Sequence, residues 1–556
     1  MFTKIVVLAA YFAMVILLGF LARGRLSEKP SQYFLAGRGL KGFVLVGTIA
    51  ATNFSAFTVF GASGAGYRDG LAFFPIMGFG TGFMAVTFWL LGRRIWEMGR
   101  KHELVTPAEL IQVIYGNKWL SALFALVMVF FTVPYLALQP LAGSKVLGGL
   151  FGMPTWAGAG LVTLIIMGYT LRGGLKAVAW TDVLQGFLML FLLIAAIFMV
   201  TGHHGGWTAA FKKALATDSS LFSRPGPRGM YTPFMFFSFI FLWFFCDPMF
   251  PQLFQRFYSA KTKKDLAKSA VWYPIICTSV FCLPIGLGLL GRLSFPELAG
   301  STSDNIMPLL MTEVAGEFMG TLVLAAGLAA LMSTMDSQLL TLGSIFSRDL
   351  WPLITGKQVT TGGQSRIFVF ALALAGLAVA LNADTTILQL GITAFTGLAV
   401  LFPCVFFGLI LKNPHPKAAL VSILVGELFV GLYHFKLLPS FGFLPAVPVI
   451  VVSLASYLAV QIASGGLKTQ GVKKAELMFL AGFGAIFILS QDFWQWGQVG
   501  NLYLGWPGWA WYFVFLSLAQ FGLTWWWVKN TLAEPLFAES TVNQGLTDGA
   551  SMGLGK

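Results

Sequence analysis

The chain has 556 residues, 57% of them hydrophobic and 10% charged, with a net charge of +14 and a mean hydropathy of +0.78. Soluble globular proteins carry about 25% charged residues, so this composition excludes an ordinary soluble enzyme or binding module. The basic residues sit in short clusters between apolar runs, which argues against a nucleic-acid surface and for orientation in a bilayer.

Apolar runs of membrane-spanning length recur from residue 3 to residue 528. In chain order the predicted spans are 3–22, 43–66, 71–92, 119–142, 155–171, 180–201, 233–251, 270–291, 318–347, 367–383, 387–411, 418–434, 442–464, 475–491 and 508–528. The chain therefore reads as an all-α polytopic membrane protein with about 15 transmembrane spans. The first run is not taken as a secretory signal, because "MFTK" offers little basic leader and no small-residue cleavage site follows. The loops 23–42, 93–118, 172–179, 252–269, 348–366, 412–417 and 465–474, with the C-terminal tail, hold most of the 36 Lys and Arg. With an odd number of spans, that asymmetry predicts the N-terminus out and the C-terminus in, in a cell inner or plasma membrane.

Two spans look unlike smooth helices. The run "FVLVGTIAATNFSAFTVFGASGAG" (43–66) places Thr52, Asn53, Ser55 and Thr58 among glycines and other small residues. The run at 233–251 ends in "CDPMFP", where Pro248 and Pro251 remove backbone donors and clash with the preceding turn. Interrupted helices persist at membrane depth only where they are buried in protein or line a cavity. The two are the second and seventh spans, the matching positions of two inverted five-span repeats.

The ninth span raises the sharpest question, because "LMSTMDSQLL" (331–340) puts Ser333, Thr334, Asp336 and Ser337 into an oily run. A lone Ser or Thr in such a helix usually bonds back to the carbonyl one turn earlier. Here Ser333 and Ser337 share a face with a carboxylate three residues from the first, and a broken helix elsewhere frees carbonyl oxygens. Hydroxyls and carbonyls suit a hard cation such as Na⁺. Asp182, in "WTDVLQG", reads equally as a helix-start carboxylate. Cys246, Cys277, Cys282 and Cys404 lie in apolar runs without metal-ligand spacing and read as small hydrophobes. The "GFGTGF" at 78–83 lies within a span and reads as close helix packing, and the tryptophans of 506–528 read as an interfacial belt.

The segments "YFLAGRGLKGFVLVGTIAATNFSAFTVFGASGAGYRDGL" (33–71), "GGLKAVAWTDVLQG" (173–186), "PQLFQRFYSAKTKKD" (251–265) and "LAALMSTMDSQLLTLGSIFSRDL" (328–350) resemble the sodium:solute symporter family. The resemblance implies a LeuT-type core of two inverted five-helix repeats and transport by alternating access rather than enzymatic chemistry. It implies repeats at 43–201 and 233–411, joined by an external loop at 202–232. An extra span and loop at 1–42, additional spans at 412–528 and a cytoplasmic tail at 529–556 complete the expected organisation. It implies Na⁺ as the coupling ion, held by backbone oxygens of Ala51, Phe54 and Ala330 and the hydroxyls of Ser333 and Thr334. A second cation position would use Asp182, Asp336 and Ser337, with Asp336 standing where relatives with that site use serine. The solute would lie against Asn53, Ser55, Phe57, Thr58, Tyr135, Gln139 and Trp243.

The expected solute is a small monocarboxylate, with Na⁺/proline or Na⁺/pantothenate symport and a proton-coupled carrier as alternatives. The implied partners are the small organic solute, the sodium ion and the lipid bilayer; neither nucleic acid nor a partner protein is implied.

Overall fold

Prolines and small polar residues interrupt two of the membrane-length helices, and these interruptions organise the centre of the molecule. The structure, a computed structural model, describes residues 1–22, 30–357, 362–469 and 474–532. Most of the expected 529–556 tail therefore lies outside the described residues. The helices that matter here are α1 (Phe2–Ala22), α2 (Gly42–Asn53), α3 (Ala62–Asp69), α4 (Met84–Lys101), α5 (Lys118–Phe151) and α6 (Thr155–His203). They continue as α7 (Pro233–Cys246), α8 (Pro251–Ser259), α9 (Lys263–Gly291), α10 (Gly316–Ile345), α11 (Ile387–Ala399) and α12 (Gly508–Thr531).

Eleven helices among the described residues are long and apolar enough to cross a membrane, or 13 if each of two bent pairs counts as one span. This is a multi-pass membrane protein. The expectation of about 15 spans exceeds that number for two physical reasons. The run expected at 155–171 is a short helix, Thr155–Gly168, cut off from the rest of α6 where Gly174 turns to φ 61° and ψ 179°. The run at 508–528 is a 24-residue helix, but its tryptophans and polar residues keep it out of the most apolar set.

Both predicted interruptions are present. Gly42–Asn53 and Phe57–Phe73 meet at 59°, and Pro233–Met249 and Pro251–Ser259 meet at 55°. Pro251 lacks the amide needed to continue the preceding helix, yet it suits the first turn of α8.

Residues 323–345 of α10 are buried throughout, and the helix lies against α6, α5 and α1. Its small residues permit that approach. A Cβ on Gly327 would stand 2.5 Å from the Phe60 ring. The C-terminal end of the first broken span is tied down by an ion pair. Arg68 pairs with Asp304 at 3.0 Å, and the other oxygen of Asp304 accepts the amide of Ile387 at the start of α11, 2.8 Å away.

The 202–232 segment is held to the C-terminal part of the chain by Arg224. Its guanidinium donates to both oxygens of Asp492 at 2.7 and 2.6 Å and lies over the rings of Trp496 and Trp509. Trp509 and Trp527 are buried while Trp525 and Trp526 are exposed, so only part of the tryptophan cluster can serve an interface. The glycines of 78–83 do sit at close contacts, with Gly82 against Gln520 of α12. The four cysteines are free, and Cys282 alone among them is partly exposed.

Candidate cation and solute site

The break in the first bent span frees backbone groups, and neighbouring helices take them up. After Asn53 the chain leaves helical geometry at Phe54, with φ −84° and ψ 87°. It resumes in a π-helical turn over Phe57–Gly61. The Ser55 hydroxyl accepts the Phe57 amide at 3.2 Å. The amide of Ala56 donates to Gln139 Oε1 of α5 at 3.2 Å, and Gln139 Nε2 donates to the Tyr135 carbonyl at 3.2 Å. Gln139 thus caps the interruption, which is a structural use that reading it as a solute contact did not foresee.

On the opposite wall, two hydroxyls of α10 reach the end of α2. Ser333 Oγ donates to the carbonyl oxygens of Ala51 and Ala330, each at 2.9 Å. Thr334 Oγ1 donates to the carbonyls of Thr52 at 3.1 Å and Ala330 at 3.3 Å. The usual back-bonding of Ser and Thr is present, and each hydroxyl also crosses to the broken helix. Of the five expected cation-holding residues, Ala51, Ala330, Ser333 and Thr334 converge directly, and Phe54 adjoins them at the break. Such a set of neutral oxygens suits a hard monovalent cation. Among the described residues no group of three or more His, Cys, Asp or Glu side chains is placed to hold a metal.

The expected second cation position carries an ion pair. Asp182, Asp336 and Ser337 are all fully buried, but Asp182 is not at a helix start: it lies well inside α6, because the helix continues upstream of it. Its Oδ2 accepts from Thr48 at 2.5 Å, from Thr52 at 3.1 Å and from Arg256 Nη2 at 3.1 Å. Arg256 Nη2 also donates to Ser337 Oγ at 2.6 Å. The charge count had treated Arg256 as a loop residue. It sits instead on α8 with no exposed surface, because the break at Phe250 turns α8 back into the protein.

The expected solute residues surround an aromatic cluster. Ring centroids of Phe57 and Trp243 lie 5.9 Å apart. Phe395 of α11 stands 6.0 Å from Phe57, 5.5 Å from Trp243 and 4.9 Å from Tyr135. Phe250, in the second break, packs 5.0 Å from Phe395. Thr58 Oγ1 and Trp243 Nε1, both buried, have no hydrogen-bond partner among the described residues. Asn53 turns away from this group and donates to the Tyr273 hydroxyl of α9. Sequence reasoning missed Phe395, Phe250 and Tyr273: in a chain with 54 Phe, an aromatic inside a span carries no signal of its own.

Residues 33–426 match the sodium:solute symporter family. The chain is 30% identical over 437 residues to the sodium/pantothenate symporter of Haemophilus influenzae, covering 74% of this chain and 88% of that protein. It is 27% identical over 481 residues to the sodium/proline symporter of Staphylococcus aureus, covering 81% and 90%. Among solved structures, a substrate-bound, outward-open Na⁺-coupled sialic acid symporter aligns with a TM-score of 0.70 at 17% identity, covering 85% of this chain and all of that one. A nucleobase-cation-symport-1 family transporter in a closed conformation aligns with a TM-score of 0.53 at 14% identity, covering 78% and 94%.

Proposed function

We propose that this chain, which belongs to the sodium:solute symporter family, holds its coupling Na⁺ between the broken α2 and the intact α10 and takes up a small carboxylate-bearing solute beside that ion. It is a Na⁺-coupled secondary active transporter of a small organic solute working by alternating access, a multi-pass plasma-membrane protein and not an enzyme. The observation that carries the sodium position is the pair of adjacent hydroxyls, Ser333 and Thr334, bonded across to the last carbonyls of α2. On binding, those hydroxyls rotate their protons away and offer lone pairs, joined by the oxygens of Ala51, Phe54 and Ala330. Ion binding thereby draws the broken helix against α10, which links ion occupancy to the shape of the solute site.

Around that site the reading is a LeuT-type pair of inverted five-helix repeats, 43–201 and 233–411, with the N-terminus outside. The interrupted second and seventh spans support it. The inward-negative potential supplies about 2.3 kcal/mol per charge per 100 mV, so one ion can drive accumulation of a neutral or zwitterionic solute; with a monoanion the two charges cancel and the Na⁺ concentration gradient alone drives uptake.

The solute site is formed by Phe57, Thr58, Tyr135 and Trp243, closed by Phe395 and Phe250, with Ser55 and Gln139 fixing the break beside it. Pantothenate and proline relatives favour a solute of those kinds over the simple short acids that the sequence motifs suggested. The chemistry they share is one carboxylate on a compact body. The Thr58 and Trp243 donors, unpaired among the described residues, can hold such a group without an arginine. Uptake of labelled pantothenate, proline and lactate into proteoliposomes, under a Na⁺ gradient and separately under a proton gradient, tests the reading. Na⁺-driven uptake of pantothenate or proline, inhibited by the other carboxylates in proportion to fit, is expected. Uptake driven by protons alone, or indifference to every carboxylate, contradicts it. Trp243→Phe, which keeps the ring and removes the donor, is expected to raise the half-saturating solute concentration about tenfold, the loss of one buried hydrogen bond. An unchanged half-saturation would remove Trp243 from the site.

A further inference from the structure

The turn between α7 and α8 carries a buried carboxylate that no basic side chain among the described residues neutralises. Asp247 is 2% exposed. The groups acting on it are the Cys246 thiol, 3.1 Å from Oδ1, and the Asn53 amide. A carboxylate kept in the interior by neutral donors alone is costly as the ion, so a positive charge brought from outside the chain is stabilising there. The backbone ties Asp247 to the aromatic cluster. Its amide donates to the Trp243 carbonyl, and its carbonyl accepts the Phe250 amide at 3.1 Å. The rings of Trp243 and Phe250 stand 5.5 and 5.0 Å from Phe395, so Asp247 lies on the turn that joins two walls of the cluster. Trp243, one turn before it, offers a buried Nε1 donor without a partner among the described residues. Residues one turn apart on a helix stand roughly 5–6 Å apart at Cβ, which lets one small ligand meet that donor and the carboxylate together.

We propose that Asp247 is a specificity-determining residue that receives the ammonium of a zwitterionic amino acid whose carboxylate is held by Thr58 and Trp243. The inference rests on the carboxylate reading above and narrows it, since proline carries an ammonium and pantothenate does not. A second Na⁺ suits the place less well, because a hard cation takes several oxygens whereas the nearest neighbour here is a soft thiol. An ammonium is satisfied by one carboxylate together with the faces of aromatic rings, which the cluster supplies. A zwitterion also adds no net charge, so the whole membrane potential acts on the coupled Na⁺.

The test is ²²Na⁺ binding to the purified full-length protein in nanodiscs with unlabelled solutes added, because a coupled solute tightens Na⁺ binding by the factor that Na⁺ tightens its own. The solutes are pantothenate and the amino acids proline, alanine and phenylalanine, each amino acid paired with the acid that has oxygen in place of its nitrogen (tetrahydrofuran-2-carboxylate, lactate and phenyllactate). On wild type, at least one amino acid is expected to act at a concentration about tenfold or more below its oxygen counterpart, the effect of one charge-assisted hydrogen bond. Asp247→Asn is expected to erase that preference and Asp247→Glu to keep it with altered affinity, with size-exclusion profiles as the check on folding. The wild-type ranking stands as a test even if the variants fail to fold. Oxygen acids or pantothenate acting below every amino acid on wild type, or a folded Asp247→Asn that keeps the preference, overturns the inference and leaves the carboxylate reading standing. A folded Asp247→Asn that loses ²²Na⁺ binding in the absence of solute makes the carboxylate an ion ligand and overturns the inference too. No saturable ²²Na⁺ binding by wild type, or no response to any of these solutes, overturns the underlying reading and this inference with it.

Discussion

Replacing Ser333 and Thr334 together by alanine is expected to abolish Na⁺-driven solute accumulation while leaving the protein inserted and folded. The two hydroxyls contribute two of the five oxygens assigned to the ion, and both bridge from α10 to the end of α2. A hydrogen-bonding group facing a charge contributes about 1.5–3 kcal/mol, so losing both weakens the ion by roughly 10²- to 10⁴-fold. The fold loses little, because each side chain shrinks by only a few atoms and α10 keeps its backbone ladder. Thr334→Ser, which retains the oxygen, should restore most of the activity. Sodium-dependent uptake by the double alanine variant at the wild-type rate would refute the assignment.

The second large effect falls on a glycine that no motif reading singled out. Gly288 of α9 faces the C-terminal half of the first broken span. A Cβ there would stand 1.9 Å from the Ser63 carbonyl oxygen and 2.8 Å from the Tyr67 amide nitrogen. A Cβ on Gly66 of α3 would likewise stand 2.3 Å from the Ile285 carbonyl oxygen. Both obstacles are backbone, so no side-chain rotation relieves the clash and the helices must separate. In a bilayer, where association depends on packing rather than on the hydrophobic effect, separation removes the contacts that hold the pair. Gly288→Ala is expected to destabilise by about 1–3 kcal/mol or more, typical of overpacking. It should also collapse uptake, since the displaced α3 carries the chain out of the break. Gly160→Ala, at a glycine with nothing within 4 Å, should stay within about 0.5 kcal/mol of wild type. Thermal midpoints of the two purified variants check this, and a Gly288→Ala protein as stable as wild type would show that α3 and α9 do not depend on this contact.

The features legible in the sequence are those where a residue type contradicts its surroundings. Pro248 and Pro251 cannot continue a helix, and both precede or sit at the 55° bend. Polar residues amid apolar ones at 51–58 mark the other bend, and Ser333 and Thr334 stand out because hydrocarbon does not solvate hydroxyls. Arg256 was misread for a physical reason: a basic residue next to Lys261, Lys263 and Lys264 looks like loop charge. Only the three-dimensional turn of α8 buries it against Asp182. Phe395, Phe250 and Tyr273 were invisible because an aromatic among aromatics has no contrast. Gln139 accepts the Ala56 amide at the break, a use three helices away in sequence that leaves no local pattern. The expectation of about 15 spans exceeds the 11 to 13 sufficiently apolar helices among the described residues where glycine kinks α6 and where tryptophan replaces aliphatic residues in α12.

A density map of the purified protein, recorded once in Na⁺ and once with choline replacing it, tests the central claim most directly. The expected result is a compact peak about 2.4 Å from the oxygens of Ala51, Ala330, Ser333 and Thr334, present in Na⁺ and absent in choline, with residues 54–56 non-helical. Identical maps in the two salts, or a continuous helix through residues 50–58, would contradict it.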